Sequence, residues 1–200
     1  MQGAAPAPHA APTAPLEDDV VRVLRDDGSL DPEHDPKLDP DAVVAIYGAM
    51  VRVRLLDERL VGLQRQGRIG FHIGSQGEEA AILGSAAALR EHDWIFPCYR
   101  EFGAALWRGM PLAAYVNHMF GNEQDPMKGR QMPDHYGAKG ARFTSISSPV
   151  GTQITHAAGV RCRSLLTHGA TSLPADSSVC TCQFRLSFVV LTMPFWVYGS

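Results

Sequence analysis

No lysine or arginine occurs before Arg22. No stretch of about 18 or more uninterrupted apolar residues occurs anywhere in the chain. A transit peptide is rich in arginine, a secretory leader needs a basic start and an apolar run, and a membrane helix needs a long apolar stretch. These absences predict a cytoplasmic protein that does not enter a membrane. An excess of positive charge is also lacking: 18 basic against 21 acidic residues leave a net charge of -3, which speaks against a nucleic-acid partner. Cysteine is sparse, at Cys98, Cys162, Cys180 and Cys182. Cys180-Thr-Cys182 has the wrong spacing for a zinc knuckle or a redox pair, so free thiols are expected. No asparagine follows Asn122, and beyond residue 160 there is no lysine and Asp176 is the one acid.

What is present suits one domain with a real core: 200 residues, 45% hydrophobic and 20% charged. Residues 1–38 form an Ala/Pro-rich and then acidic arm, a composition that cannot bury a core and predicts flexibility. Order is expected from Asp39 and Pro40, a helix cap and a first-turn proline. Val43, Ile46, Tyr47, Met50, Val51, Leu55, Leu60 and Leu63 follow at helical spacing, and Gly67 can end the helix. Ser75 and Glu78 read as a capping box opening a second helix of small residues to Leu89. Trp94-Ile95-Phe96 predicts a buried strand ended by Pro97. Helices are expected over 101–108 and from Pro111 to Gly121. A long polar loop, 125–140, reads as functional or mobile. Arg142 to Ile146 alternates like a strand, Ser147-Ser148-Pro149 breaks it, and Thr152 to Val160 starts a helix. Strand, polar turn and helix is a unit that aims backbone N–H groups at an anion. Residues 161–200 change character, with frequent Ser, Thr and Cys and an apolar run from Phe184 to Tyr198 broken by Pro194.

Four segments carry a family likeness: Gly77-Glu78-Glu79-Ala80; Tyr99-Arg100-Glu101; Lys128-Gly129-Arg130-Gln131-Met132-Pro133 with His135; and Ile146-Ser147-Ser148-Pro149 leading to Thr152-Gln153. In order and spacing they resemble the alpha subunit of the thiamine-diphosphate-dependent 2-oxoacid dehydrogenases. The Gly-Arg-Gln-Met-Pro segment and the Ser-Ser-Pro turn lean toward the branched-chain type over the pyruvate type.

The resemblance implies an α/β fold, the N-terminal part of a doubly wound thiamine-diphosphate-binding domain, incomplete here. It implies an alpha2-beta2 assembly with a dehydrogenase beta subunit, a lipoyl transacylase as acyl acceptor, and oxidative decarboxylation of branched-chain 2-oxo acids. Tyr99 and Arg100 match residues that contact the diphosphate, and a planar, always-charged guanidinium suits phosphate oxygens. Ser148 matches a serine near the pyrimidine end of the cofactor. Ser147, Pro149, Thr152 and Gln153 match a turn that holds potassium through oxygen ligands. His135 and Arg130 stand in the loop near the cofactor as candidate catalytic residues; His72 is a weaker candidate in a turn where the family differs. Each has a plainer reading: a surface Tyr-Arg pair, a Ser-Ser-Pro turn capping a helix, a solvated loop histidine.

The family's magnesium motif, an acid between glycines and a downstream asparagine pair, is missing, so the magnesium site is expected to be absent. Thr167-His168-Gly169-Ala170-Thr171-Ser172 echoes it with His168 in the acid's place, and histidine suits magnesium poorly. The domains therefore read as an arm (1–38), a partial dehydrogenase domain (39–160) and a non-family tail (161–200), which a frameshift near Val160 would produce. The chain alone is expected to be inactive and prone to aggregate. The rival readings are a non-catalytic protein that docks on a beta subunit, a pyruvate dehydrogenase alpha subunit, and a general anion-binding module.

Overall fold

The structure, a computed structural model, describes residues 22–167 and a short strand at 189–190. The echo at His168, Cys180, Cys182 and most of the Phe184–Tyr198 run lie outside the described residues, as does the Ala/Pro segment before Arg22. The chain divides into two compact units, Met1–Pro40 and Asp41–Ser200. In the first, the described residues make a tight turn. Gly28, at φ 81°, donates its N–H to the Arg25 carbonyl, and Leu24 bridges Leu30 in antiparallel sense.

The second unit is built mainly of helices: α1 (Pro40–Arg65), α2 (Glu79–Ala88), α3 (Phe102–Trp107), α4 (Leu112–Phe120) and α5 (Thr152–Thr167). Strand β1 (Ile95–Phe96) pairs in parallel with β2 (Val189–Val190), Ile95 opposite Val189. Helices beside a parallel strand pair are compatible with an α/β fold, of which the described residues form a mostly helical part. No described helix is long and apolar enough to cross a membrane.

α1 starts at the proline, whose missing N–H costs nothing in a first turn, and ends before Gly67 at φ 70°. Its buried face is Ala49, Val53, Asp57, Leu60 and Leu63. Of the expected stripe only Leu60 and Leu63 are fully buried; Val43, Tyr47, Val51 and Leu55 face outward. α3 crosses α1 and α2 at Gly103, where an added Cβ would meet Val53 Cγ2 at 3.1 Å and Ile82 Cγ2 at 3.5 Å. Phe102 stacks on Tyr115 with ring centroids 5.2 Å apart, Tyr115 meets Tyr136 edge-on, and Tyr136 stacks on Phe143. This aromatic column joins α3, α4, the long loop and the segment after it.

Two local expectations are corrected. The Ser75–Glu78 capping box does not form. α2 begins at Glu79 with no side-chain cap, because Asp57 already holds the Ser75 N–H at 2.9 Å, and the Glu79 carboxylate instead accepts from the Gly77 N–H at 2.9 Å. Residues 142–146 are not a strand: Arg142 takes a left-handed backbone (φ 50°) after a 3-10 turn at Lys139–Ala141. Phe143 is left with isolated bridges to Ile95 and Ala138.

Candidate functional site

The four motif segments are linked in two pairs. The Arg100 guanidinium donates through Nη1 to the Gly74 carbonyl, and its Nε lies 4.0 Å from Glu78 Oε1. That joins the β1–α3 turn to the turn before α2. The Ser148 hydroxyl lies 2.5 Å from His135 Nε2, while His135 Nδ1 faces the Pro133 carbonyl at 2.9 Å. A neutral ring donating from Nδ1 leaves Nε2 to accept the serine proton. That joins the Ser-Ser-Pro turn to the long loop.

Between these two links lies a buried ionic knot. His72 Nε2 is 2.6 Å from Asp57 Oδ1, and His72 Nδ1 is 3.2 Å from Asp134 Oδ2, close but too poorly angled for a hydrogen bond. Asp57 also accepts from the Ser75 N–H, and Asp134 from the Ile73 N–H at 2.6 Å and the Tyr115 hydroxyl at 3.1 Å. Burial pulls the His72 pKa down, but the carboxylates of Asp134 and Asp57 facing its two ring nitrogens outweigh it and raise the value to about 9. An imidazolium between two carboxylates thus ties α1, the 71–75 turn and the long loop together. Gly74 allows this: an added Cβ would sit 3.0 Å from both Asp57 carboxylate oxygens. Asp134 holds its place in a left-handed conformation, φ 61°, uncommon for a residue with a side chain.

The loop over 125–140 is well tied. Asp125 accepts from the Met127 and Gly129 N–H groups at 2.9 and 2.8 Å and faces His118 Nδ1 at 3.0 Å. His118 Nε2 reaches the Met132 carbonyl at 3.1 Å. Arg130 is exposed, and its side chain makes no hydrogen bond or ion pair with the described residues.

Several buried polar atoms lack hydrogen-bond partners among the described residues, among them His72 Nδ1, Ser75 Oγ, Glu78 Oε2 and Gln153 Nε2. Both Glu101 carboxyl oxygens are without a hydrogen bond, and so is the Tyr136 hydroxyl, though both side chains are fully buried. Burial, with Glu78 adding to it, raises the Glu101 pKa to about 7. Sequence reading passed over Glu101, Asp57 and Asp134. For Asp57 a signal existed: it lies four residues after Val53 and three before Leu60, an acid on a buried helical face.

The dehydrogenase E1 component family matches residues 47–168. The chain belongs to this family. It is 43% identical over 141 residues to the mitochondrial 2-oxoisovalerate dehydrogenase subunit alpha of Mus musculus, covering 70% of this chain and 32% of the relative. Against subunit alpha 1 of Arabidopsis thaliana the identity is 45% over 140 residues, 70% of this chain and 30% of the relative. Against the Caenorhabditis elegans subunit it is 44% over 130 residues, 65% and 30%. The chain spans about a third of the length of these relatives. Their names place them in mitochondria, which overturns the cytoplasmic expectation: the lack of early basic residues was too weak a signal to assign a compartment.

Membership implies thiamine diphosphate dependence. Arg100 suits the phosphate end of that cofactor: its side chain is 40% exposed, and its guanidinium is held by one nitrogen on the Gly74 carbonyl. Among the described residues no group of three acidic, histidine or cysteine side chains that could hold a metal occurs. The 147–153 turn is oxygen-rich. Thr152 donates to the Pro149 carbonyl, and the Gln153 side-chain oxygen accepts from the Gly151 N–H at 2.9 Å, each oxygen keeping a lone pair.

Proposed function

We propose that this chain supplies the alpha-subunit share of a thiamine diphosphate site in a branched-chain 2-oxoacid dehydrogenase, on the N-terminal part of a doubly wound fold. The observation that carries this reading is the tethered, half-exposed Arg100 on the Gly74 carbonyl together with the Ser148–His135 pair, the turn holding Gly74 and the loop holding His135 being tied to each other by His72, Asp57 and Asp134. Thiamine diphosphate, held here by Tyr99, Arg100 and Ser148, would supply the nucleophilic and electron-accepting chemistry that decarboxylation of a 2-oxo acid needs. Arg100 and Tyr99 grip the diphosphate, and Ser148 orients the pyrimidine end. His135 holds the serine proton through Nε2. Arg130 would need its exposed side chain to swing inward to contribute.

The substrate class and a mitochondrial setting follow the relatives' names, acyl transfer to a lipoyl transacylase and the alpha2-beta2 assembly follow the family resemblance, and all belong to the same proposal. Potassium at Ser147, Pro149, Thr152 and Gln153 is part of it. Potassium chloride should raise the melting temperature over equal choline chloride, and no difference would remove the ion from the proposal. The division into an arm (1–38), a partial dehydrogenase domain (39–160) and an out-of-frame tail (161–200) is tested by resequencing the gene from codon 140. A reading frame that restores an acid between glycines and a downstream asparagine pair would support it.

The reading as a whole is tested by co-expression with a branched-chain dehydrogenase beta subunit. Co-purification, with thiamine diphosphate bound in preference to plain pyrophosphate, is expected. Equal preference would leave a general anion site. The outward Val43, Tyr47, Val51 and Leu55 favour a second reading, a non-catalytic protein that docks on the beta subunit. Co-purification without cofactor binding would select it.

A further inference from the structure

Glu101 is a second feature of the Arg100 turn, and the cofactor grip described above does not use it. It caps the start of α3 and is completely buried, yet neither carboxyl oxygen accepts a hydrogen bond among the described residues. The backbone N–H groups of Arg100 and Glu101 lie near enough to lower its pKa, but neither reaches hydrogen-bond geometry. The charged and titratable groups that act on Glu101 or feel its charge come from three places. Glu78 lies in the turn before α2, Cys98, Tyr99 and Arg100 in the turn after β1, and Tyr136 in the long loop. Arg100 alone among them favours the carboxylate by its charge.

A buried carboxylate without donors depends on nearby positive charge to remain ionised. An anion that engages the Arg100 guanidinium offsets that charge and brings its own negative charge close by. Both effects favour the neutral acid. We infer that Glu101 takes up a proton when a diphosphate group occupies Arg100, so that anion binding at this turn is coupled to protonation of a buried acid. The inference rests on the reading of Arg100 as the diphosphate-binding residue. No bond other than the O–H forms, and the proton comes from solvent. With a carboxyl already titrating at about 7, the exchange falls in the neutral range.

The test is calorimetric titration at pH 7 of the full chain co-expressed with a beta subunit, with thiamine diphosphate and, separately, inorganic pyrophosphate, in buffers of differing ionisation heat. The ligand's own phosphate releases protons when it meets a cation, so the quantity read is the difference between wild type and Glu101→Gln. The wild type is expected to take up as much as about half a proton more per ligand than the variant, because a group with a pKa near the working pH is about half protonated before binding. Carbon-13 carboxyl spectra of glutamate-labelled wild type provide a readout that does not need the variant to fold. The Glu101 signal should move toward the neutral-acid position on adding pyrophosphate. Binding with no difference in proton uptake and no movement of that signal overturns the coupling and leaves the Arg100 reading standing. No binding of either ligand overturns both.

Discussion

At the scale of single residues, His72 sets the pH response. Its pKa stands at about 9 in the fold against an ordinary value of 6.5. Below 6.5 the folded and unfolded chains both hold the proton, and the stabilisation from Asp57 and Asp134 is complete. As pH rises toward 9 the unfolded chain gives up its proton first and the stabilisation falls, to be lost once the folded histidine also deprotonates. Melting temperature should therefore decline between pH 6.5 and 9, and His72→Asn should flatten that slope. Asp134→Asn, which leaves His72 with one carboxylate, should cost about 1.5–3 kcal/mol in denaturant unfolding, the worth of hydrogen bonds to a charged group. At the cofactor turn, Arg100→Lys keeps a charge but loses the fork. It should weaken thiamine diphosphate binding by about tenfold, the worth of one charge-assisted hydrogen bond.

At the scale of elements, legibility followed how local the signal was. Pro40, Gly67, Pro111 and Gly121 act within one turn of their own helices, and the ends of α1 and α4 could be read from them. The capping box and the strand could not be read, because tertiary contacts decide both. Asp57, 18 residues away, takes the Ser75 N–H. Phe143 is held by backbone bonds that place Thr144 N–H on the Ile95 carbonyl and Ile95 N–H on the Arg142 carbonyl. The candidate site divides the same way. Tyr99, Arg100, Ser148 and His135 were visible as motif residues, but the Ser148–His135 bond and the carboxylates on His72 are contacts between distant parts of the chain. Gly74 shows how little room remains where those parts meet. Gly74→Ala would push a methyl group into the Asp57 carboxylate and should destabilise the chain by at least about 1–3 kcal/mol, the usual cost of overpacking, measured by urea unfolding.

At the scale of the whole molecule, α1 leaves a row of apolar side chains uncovered. Val43, Tyr47, Val51 and Leu55 recur every four residues and are each between 40% and 65% exposed. An apolar row of this kind favours association. The isolated chain should elute from a sizing column as a species larger than a monomer, or aggregate. The double substitution Val51→Asp and Leu55→Asp should shift it toward monomer while leaving the melting temperature nearly unchanged, since neither side chain is in the core.

The grip of Arg100 on a diphosphate is the point on which the functional reading turns. Fluorescence titration of the full chain co-expressed with a beta subunit, wild type against Arg100→Ala, addresses it directly. Saturable thiamine diphosphate binding by the wild type, weakened at least about tenfold in the variant while both melt at the same temperature, is the expected result. Equal affinity in the two proteins would contradict it and remove Arg100 from the site.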